Sequence, residues 1–183
     1  MTPDPLPQPL ATLATSIESL GRAARFYPAA TPESFGLILA GLDFDPSTVA
    51  ELVFLEDALA ALDSDAPSPC VNLQILIRLP SRTPFEASPH VIRFCNALTQ
   101  CLGRGSILFN RASRLVHFRA LLAWPHRSVD PVMVSEILDS ADRFLEAADP
   151  LIAAIAKGET SCEHAILALA QKGFPIPEMP AHP

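Results

Sequence analysis

The stretch VNLQILIRLP, residues 71–80, decides the fold, because Val71, Leu73, Ile75, Ile77 and Leu79 alternate with Asn72, Gln74, Leu76 and Arg78. A period of two is that of a strand with one face buried and the other largely wet. Pro80 is expected to end it, having no N–H to give to a ladder. Working outward, Ser88 followed by Pro89 has the form of a helix start, a hydroxyl for the free N–H groups and a ring whose fixed φ suits the first turn. Gly103 is the matching stop. Val91, Phe94, Cys95, Leu98, Cys101 and Leu102 recur at steps of three and four between them, which predicts a helix with one apolar face lying on the sheet. Ile107 and Phe109, then Val116, Phe118, Ala120 and Leu122, alternate again and predict an antiparallel hairpin. Its turn, Arg111 to Arg114, lacks the glycine or asparagine that tight primed turns favour, so the pattern leaves the register open there.

Composition bounds the rest. The chain has 183 residues, 49% of them hydrophobic, enough for one domain with a real core. We expect a single α+β domain over residues 10–173, flanked by proline-rich tails at 1–9 and 174–183. No apolar run approaches the roughly 18 to 20 residues of a membrane span. Residues 1–9 also lack the positive start and apolar stretch of a secretory signal, so the expected location is the cytoplasm. Cys70, Cys95, Cys101 and Cys162 are widely spaced, and the gap between Cys95 and Cys101 exceeds the usual spacing of a zinc pair. Reduced thiols, with no metal and no cofactor, are expected.

The net charge of −7 makes a nucleic-acid partner unlikely, since phosphate binding normally shows as a basic domain. The charge is unevenly placed. Residues 87–129 contain no Asp or Glu but hold Arg93, Arg104, Arg111, Arg114, Arg119 and Arg127, while the flanks carry all 20 acids. Solvated face residues account for most such runs; an anion-friendly or acidic-partner surface is the sharper alternative.

Elsewhere the pattern is helical. Leu10, Leu13, Ile17, Leu20 and Ala24 predict a first helix, and Phe35, Ile38, Leu39 and Leu42 a short second one started by Thr31 and Pro32. For residues 47–62, Leu52, Leu55, Leu59 and Leu62 keep a helical period, and Thr48 with Glu51 has capping-box spacing. The run Leu52 to Leu55 also fits a strand. Val134, Ile137, Leu138, Ala141, Phe144, Leu145 and Ala148 mark a long helix that Asp149 and Pro150 are expected to break. Thr160 and Glu163 have capping-box spacing ahead of a last helix ending near Gly173. The expected sheet is therefore small and three-stranded, with helices on one face.

The strings VNLQILIRLP, HVIRFCNALTQCLGRGSILFNRASRLVHFRALL and ILDSADRFLEAADPLIAAIAKGE resemble the YbjN-like family over roughly Leu52 to Glu159. The likeness is carried by Asn96 in the middle helix, the glycine-led hairpin after it and the long helix closing on IAAIAKGE. It implies a type III secretion chaperone-like fold and a small cytoplasmic, dimeric protein that binds other proteins in a regulatory or chaperone-like role. No catalytic residues come with it. The family's sheet usually has more strands, which would make residues 51–56 a strand.

No catalytic motif is present. Gly103-Arg104-Gly105 lacks the third glycine and the context of a dinucleotide loop, and no nucleophile elbow or P-loop occurs. Glu56 and Asp57 are adjacent and point apart, which disfavours paired acid–base work. Trp124 before Pro125 suits an anchor at a strand end, or an interface hot spot if exposed. His117 and Arg119 share one face of the last strand. They form the alternative reading, a small enzyme or ligand-binding domain with a loop-assembled site. The preferred reading is an interaction surface of Leu76, Arg78, Leu108, Arg111, Arg114, Leu115, His117, Arg119 and Leu121. It would bind a protein partner and support a homodimer, since a rimmed apolar patch marks a contact face.

Overall fold

The computed structural model describes residues 9–30, 36–55, 70–125 and 129–175. Among them are four helices, α1 (Pro9–Ser19), α2 (Ser88–Cys101), α3 (Pro131–Ala156) and α4 (Cys162–Gln171). The six strands are β1 (Ala24–Tyr27), β2 (Leu37–Gly41), β3 (Val49–Phe54), β4 (Cys70–Arg82), β5 (Ser106–Asn110) and β6 (Leu115–Pro125). They form one antiparallel sheet in the order β1-β2-β3-β4-β6-β5. The α+β class is as expected, but the sheet has six strands where three were predicted.

The extra strands come from segments whose short apolar runs fit two periods. Of the short helix predicted around Phe35 to Leu42, Leu37–Gly41 is instead β2, in which Ile38 and Ala40 are buried and their neighbours half-exposed, while Thr31, Pro32 and Phe35 lie outside the described residues. Residues 47–62 divide differently: β3 is a strand, and residues 56–62 lie outside the described residues. Thr48 does not start a capping box. Its hydroxyl donates to Asp45 Oδ2 at 2.6 Å, beside two bonds from Ser47 to Asp45 Oδ1, and this knot leads the chain into β3. The first helix ends at Ser19, and Ala24, predicted to be its last apolar position, opens β1.

The chain forms two compact units, one of residues 1–77 and 120–140, the other of 78–119 and 141–183. In the first, the register aligns buried with buried: Ile38 opposes Leu52, Leu52 opposes Ile75 and Ala50 opposes Ile77. Leu13, Ala14 and Ile17 of α1 are buried, and α1 packs on β1 and β2. Arg22, 7% exposed, donates to Gly41 O at 2.6 Å and to Asp139 Oδ1 at 2.7 Å, with Asp43 at 3.8 Å. A guanidinium that far out of water is tolerated only when paired and hydrogen-bonded.

In the second unit, Ile107 faces Phe118 across the hairpin, both buried, and Val91, Phe94, Cys95 and Leu98 of α2 are buried in the helix that packs on β5. Gly105, at φ +89°, precedes β5; a side chain there would meet the Phe118 ring at 2.8 Å. β4 runs past Pro80 to Arg82, contrary to expectation. Its last β3 partner is Ile77, so the missing proline N–H removes no ladder bond on that side. Ser88 is not the cap: α2 starts at Ser88 itself, Ala87 precedes it with no side-chain cap bond, and the Ser88 hydroxyl donates to Pro84 O. The helix stops where Gly103 was expected to stop it: Leu102 is the C-cap, and Gly103 follows it, though the cap itself is extended and Gly103 is not among the left-handed glycines.

Nor does Pro150 break the long helix; α3 continues through it to Ala156. A proline costs a helix one bond and strains a turn, and the apolar stripe on either side, with Ala148 and Ile152 almost fully buried, outweighs that. The last helix is capped one residue later than predicted, the Ser161 hydroxyl accepting from His164 N–H at 3.2 Å. Beyond it, Phe174 stacks edge-on against Phe144 with ring centres 5.3 Å apart.

β5 is an edge strand, and an open edge invites unwanted pairing. Thr99 of α2 blocks it: its Oγ1 accepts from Ile107 N–H at 2.8 Å and lies 3.0 Å from both Ile107 O and Cys95 O, one of which takes its proton. Replacing Thr99 by Val keeps the shape and orphans the Ile107 N–H. We expect a loss of about 1–3 kcal/mol in urea unfolding with the far-ultraviolet spectrum unchanged.

Candidate functional site

The hairpin β5–β6 positions most of the predicted surface. Because Ile107, Val116 and Phe118 face inward, the intervening side chains face out, and the register opposes Leu108 to His117, Ser106 to Arg119 and Asn110 to Leu115. Leu108 is 43% exposed and Arg119 exposed, while Leu115 and His117 are half-buried. Arg111 and Arg114, both exposed, sit at the tip. Arg78 is exposed on β4. These seven residues belong to the second unit. Leu76, half-buried, and Leu121, 53% exposed, belong to the first, where they occupy alternate outward positions of β4 and β6. Along β6, Leu115, His117, Arg119 and Leu121 share one side and Val116, Phe118 and Ala120 the buried other, so the predicted facing of this strand is correct.

The turn carries an asparagine after all, at its first position and not in its middle. Asn110 Oδ1 accepts from Ala112 N–H at 2.9 Å and Ser113 N–H at 3.0 Å, and Arg114 N–H donates to Asn110 O at 2.7 Å. Arg114 closes the loop at φ +61°, a left-handed conformation normally left to glycine. That Asx turn is the local reason the hairpin has a fixed register without a primed turn. An Asn four residues ahead of a positively charged loop end was the available signal in the sequence.

Other predicted candidates are scattered. Trp124 is buried, as suits a strand anchor. Glu56, Asp57 and Arg127 lie outside the described residues, as do residues 1–8 and 176–183 of the predicted tails 1–9 and 174–183; at the inner ends of those tails Pro9 instead opens α1 and Phe174 packs on Phe144. Among the described residues no group of three or more His, Cys, Asp or Glu is arranged to hold a metal ion. No helix among them is long and apolar enough to cross a membrane.

The second unit also gathers two of the thiols' helices. α2 packs on α4, and Arg93 Nη2 meets Glu163 Oε1 at 2.9 Å between them, both half-exposed. Glu163 is held below the usual carboxylate range, first by the backbone N–H bond it accepts at the helix start, then by the Ser161 hydroxyl, with Arg93 adding to it. A lowered carboxyl stabilises the fold above the unfolded value, and that stabilisation is lost as the pH falls through the folded one. Burial acts on the cysteines in the opposite direction. Desolvation pushes the Cys95 thiol up to about 12, and Cys101 and Cys162 are raised by the same cause.

No family model matches this chain, and neither a curated protein nor a solved structure does. The geometry and the residues therefore carry the functional reading.

A raised thiol is mostly protonated near neutral pH and nucleophilically inert. With Cys70 replaced by Ser, a chromogenic disulfide at pH 8 should label half-buried Cys101 first and Cys95 only on unfolding. Rapid labelling of Cys95 in the native protein would show that its pocket opens readily.

Proposed function

We propose that this chain is a non-enzymatic protein-interaction module, chaperone-like or regulatory, that binds a protein partner and works as a homodimer. The observation that carries it is the outward side of the β5–β6 hairpin in the second unit, where exposed Leu108 stands opposite His117 and near exposed Arg119 while Ile107, Val116 and Phe118 on the other side are buried; in the first unit, Leu121 is a further exposed outward leucine of β6. A strand normally places polar residues on its wet side; leucines there are costly in water and gain when a partner covers them. The likeness of residues 52–159 to the YbjN-like family supports the same reading, and the type III secretion chaperone-like fold belongs to that proposal.

The acid-poor hairpin supports a protein partner over a nucleic acid. A net charge of −7 repels an extended polyanion, whereas a folded protein engages only the local surface.

Light scattering on the purified chain should give twice the chain mass at micromolar concentration. Leu108→Asp or Leu121→Asp should weaken that association by about tenfold or more while circular dichroism stays unchanged, because a carboxylate is costly only where the site becomes dry. A monomer mass for the unmodified chain removes the dimer. A dimer indifferent to both substitutions places its interface elsewhere.

A further inference from the structure

We infer that the corner where the β4–α2 loop meets the tip of the β5–β6 hairpin docks an acidic segment of a partner protein that carries an apolar side chain. This rests on the reading of the chain as an interaction module and gives the partner a chemistry. The corner is separate from the outward leucines.

Phe85 is the first observation. It is 78% exposed, the most exposed large apolar side chain among the described residues. It is not on a loose loop. Ser88 N–H donates to Phe85 O at 3.2 Å, the Ser88 hydroxyl to Pro84 O at 3.1 Å, and Thr83 N–H to Arg114 O at 2.9 Å, which ties the loop to the hairpin tip. The tip in turn is fixed by Asn110. An aromatic ring held out in water on a rigid backbone loses little further freedom on binding, the property of an interface anchor.

Charge gives the partner its sign. Arg82, Arg111 and Arg114 are exposed at this corner. Over residues 78–119 the chain has seven arginines against one acid, Glu86, itself beside Phe85. Such a surface attracts carboxylates and repels cations, and Arg pairs with carboxylates through two parallel bonds. Two buried hydroxyls of the segments joined here, Thr83 Oγ1, on a residue 1% exposed, and Ser113 Oγ, have no hydrogen-bond partner among the described residues.

A short acidic segment suits this better than a nucleic acid. The patch is one corner of a chain of net charge −7, and charge interactions fade over about 8 Å at physiological salt, so a long phosphate backbone would run on into repulsive surface.

The test is fluorescence anisotropy on the full chain with a labelled peptide EEDLFDEE, beside the lysine counterpart KKKLFKKK, the ring-free EEDGGDEE and a single-stranded DNA oligonucleotide. The acidic aromatic peptide should bind, more tightly at low salt, and the lysine peptide should not. Phe85→Ser should weaken it about tenfold, to the level of EEDGGDEE, and Arg82→Glu with Arg111→Glu should abolish it, all with unchanged circular dichroism and oligomer mass. Equal binding of the lysine peptide, tighter binding of the DNA, or wild-type affinity in both variants overturns the inference. A change of oligomer mass in Phe85→Ser also overturns it, because the corner would then join two copies of this chain. Peptide binding by a monomer removes the dimer and keeps this site; a dimer that ignores the peptide keeps the module and removes the site.

Discussion

Every second side chain of β4 from Leu73 to Leu79 is at most 1% exposed, and the rest of the sheet is aligned to that one fact. Removing these chains from water is the dominant favourable term available, and with a period of two it is available on one face only. A neighbouring strand that slipped by one residue would turn all its apolar side chains to the wrong face. The pairs Leu52 with Ile75 and Ile38 with Leu52 show the register that avoids this, extended strand by strand to β1.

Burial on one face leaves polar problems at ends and edges, and each is met by a specific side chain. Arg22 gives the corner after α1 a buried cation held by a carbonyl and a carboxylate. Such a pair yields little net stability against its desolvation, but it penalises other arrangements of the same segments. Thr99 satisfies the Ile107 N–H on the outer edge of β5 without admitting another strand there. Asp45 and Asn110 organise turns through side-chain acceptors, which is what lets short strands begin and end abruptly.

The surface that remains is unequal. The hairpin and the loop before α2 carry arginines with almost no acids, whereas α3 and α4 carry the acids, among them Asp139, Asp142, Glu146 and Glu163. Fold stability does not require this separation, because wet charges contribute little wherever they sit. Its consequence is a local positive field next to an ordered, exposed phenylalanine, a combination that serves recognition.

β4, the apolar face of α2, the facing of β6 and the helical stretches around α3 and α4 can be read from residue order alone, because in each the apolar period runs long enough to exclude the alternative. Leu108, His117, Arg119 and Leu121 were legible as outward residues for the same reason. The short pieces depend instead on contacts distant in the chain. Residues 37–41 and 49–54 are five- and six-residue strands whose few apolar positions fit either period, and they are strands because β4 offers an unpaired edge whose hydrogen bonds a helix could not complete. The ends of elements were decided the same way: Pro80 and Pro150 break nothing, since the first lies beyond the β3 ladder and the second inside a helix held on both sides by burial. The corner of Phe85 and Arg114 joins residues 29 positions apart in the chain, and a hydrogen bond between their loops, not any local pattern, brings it into being.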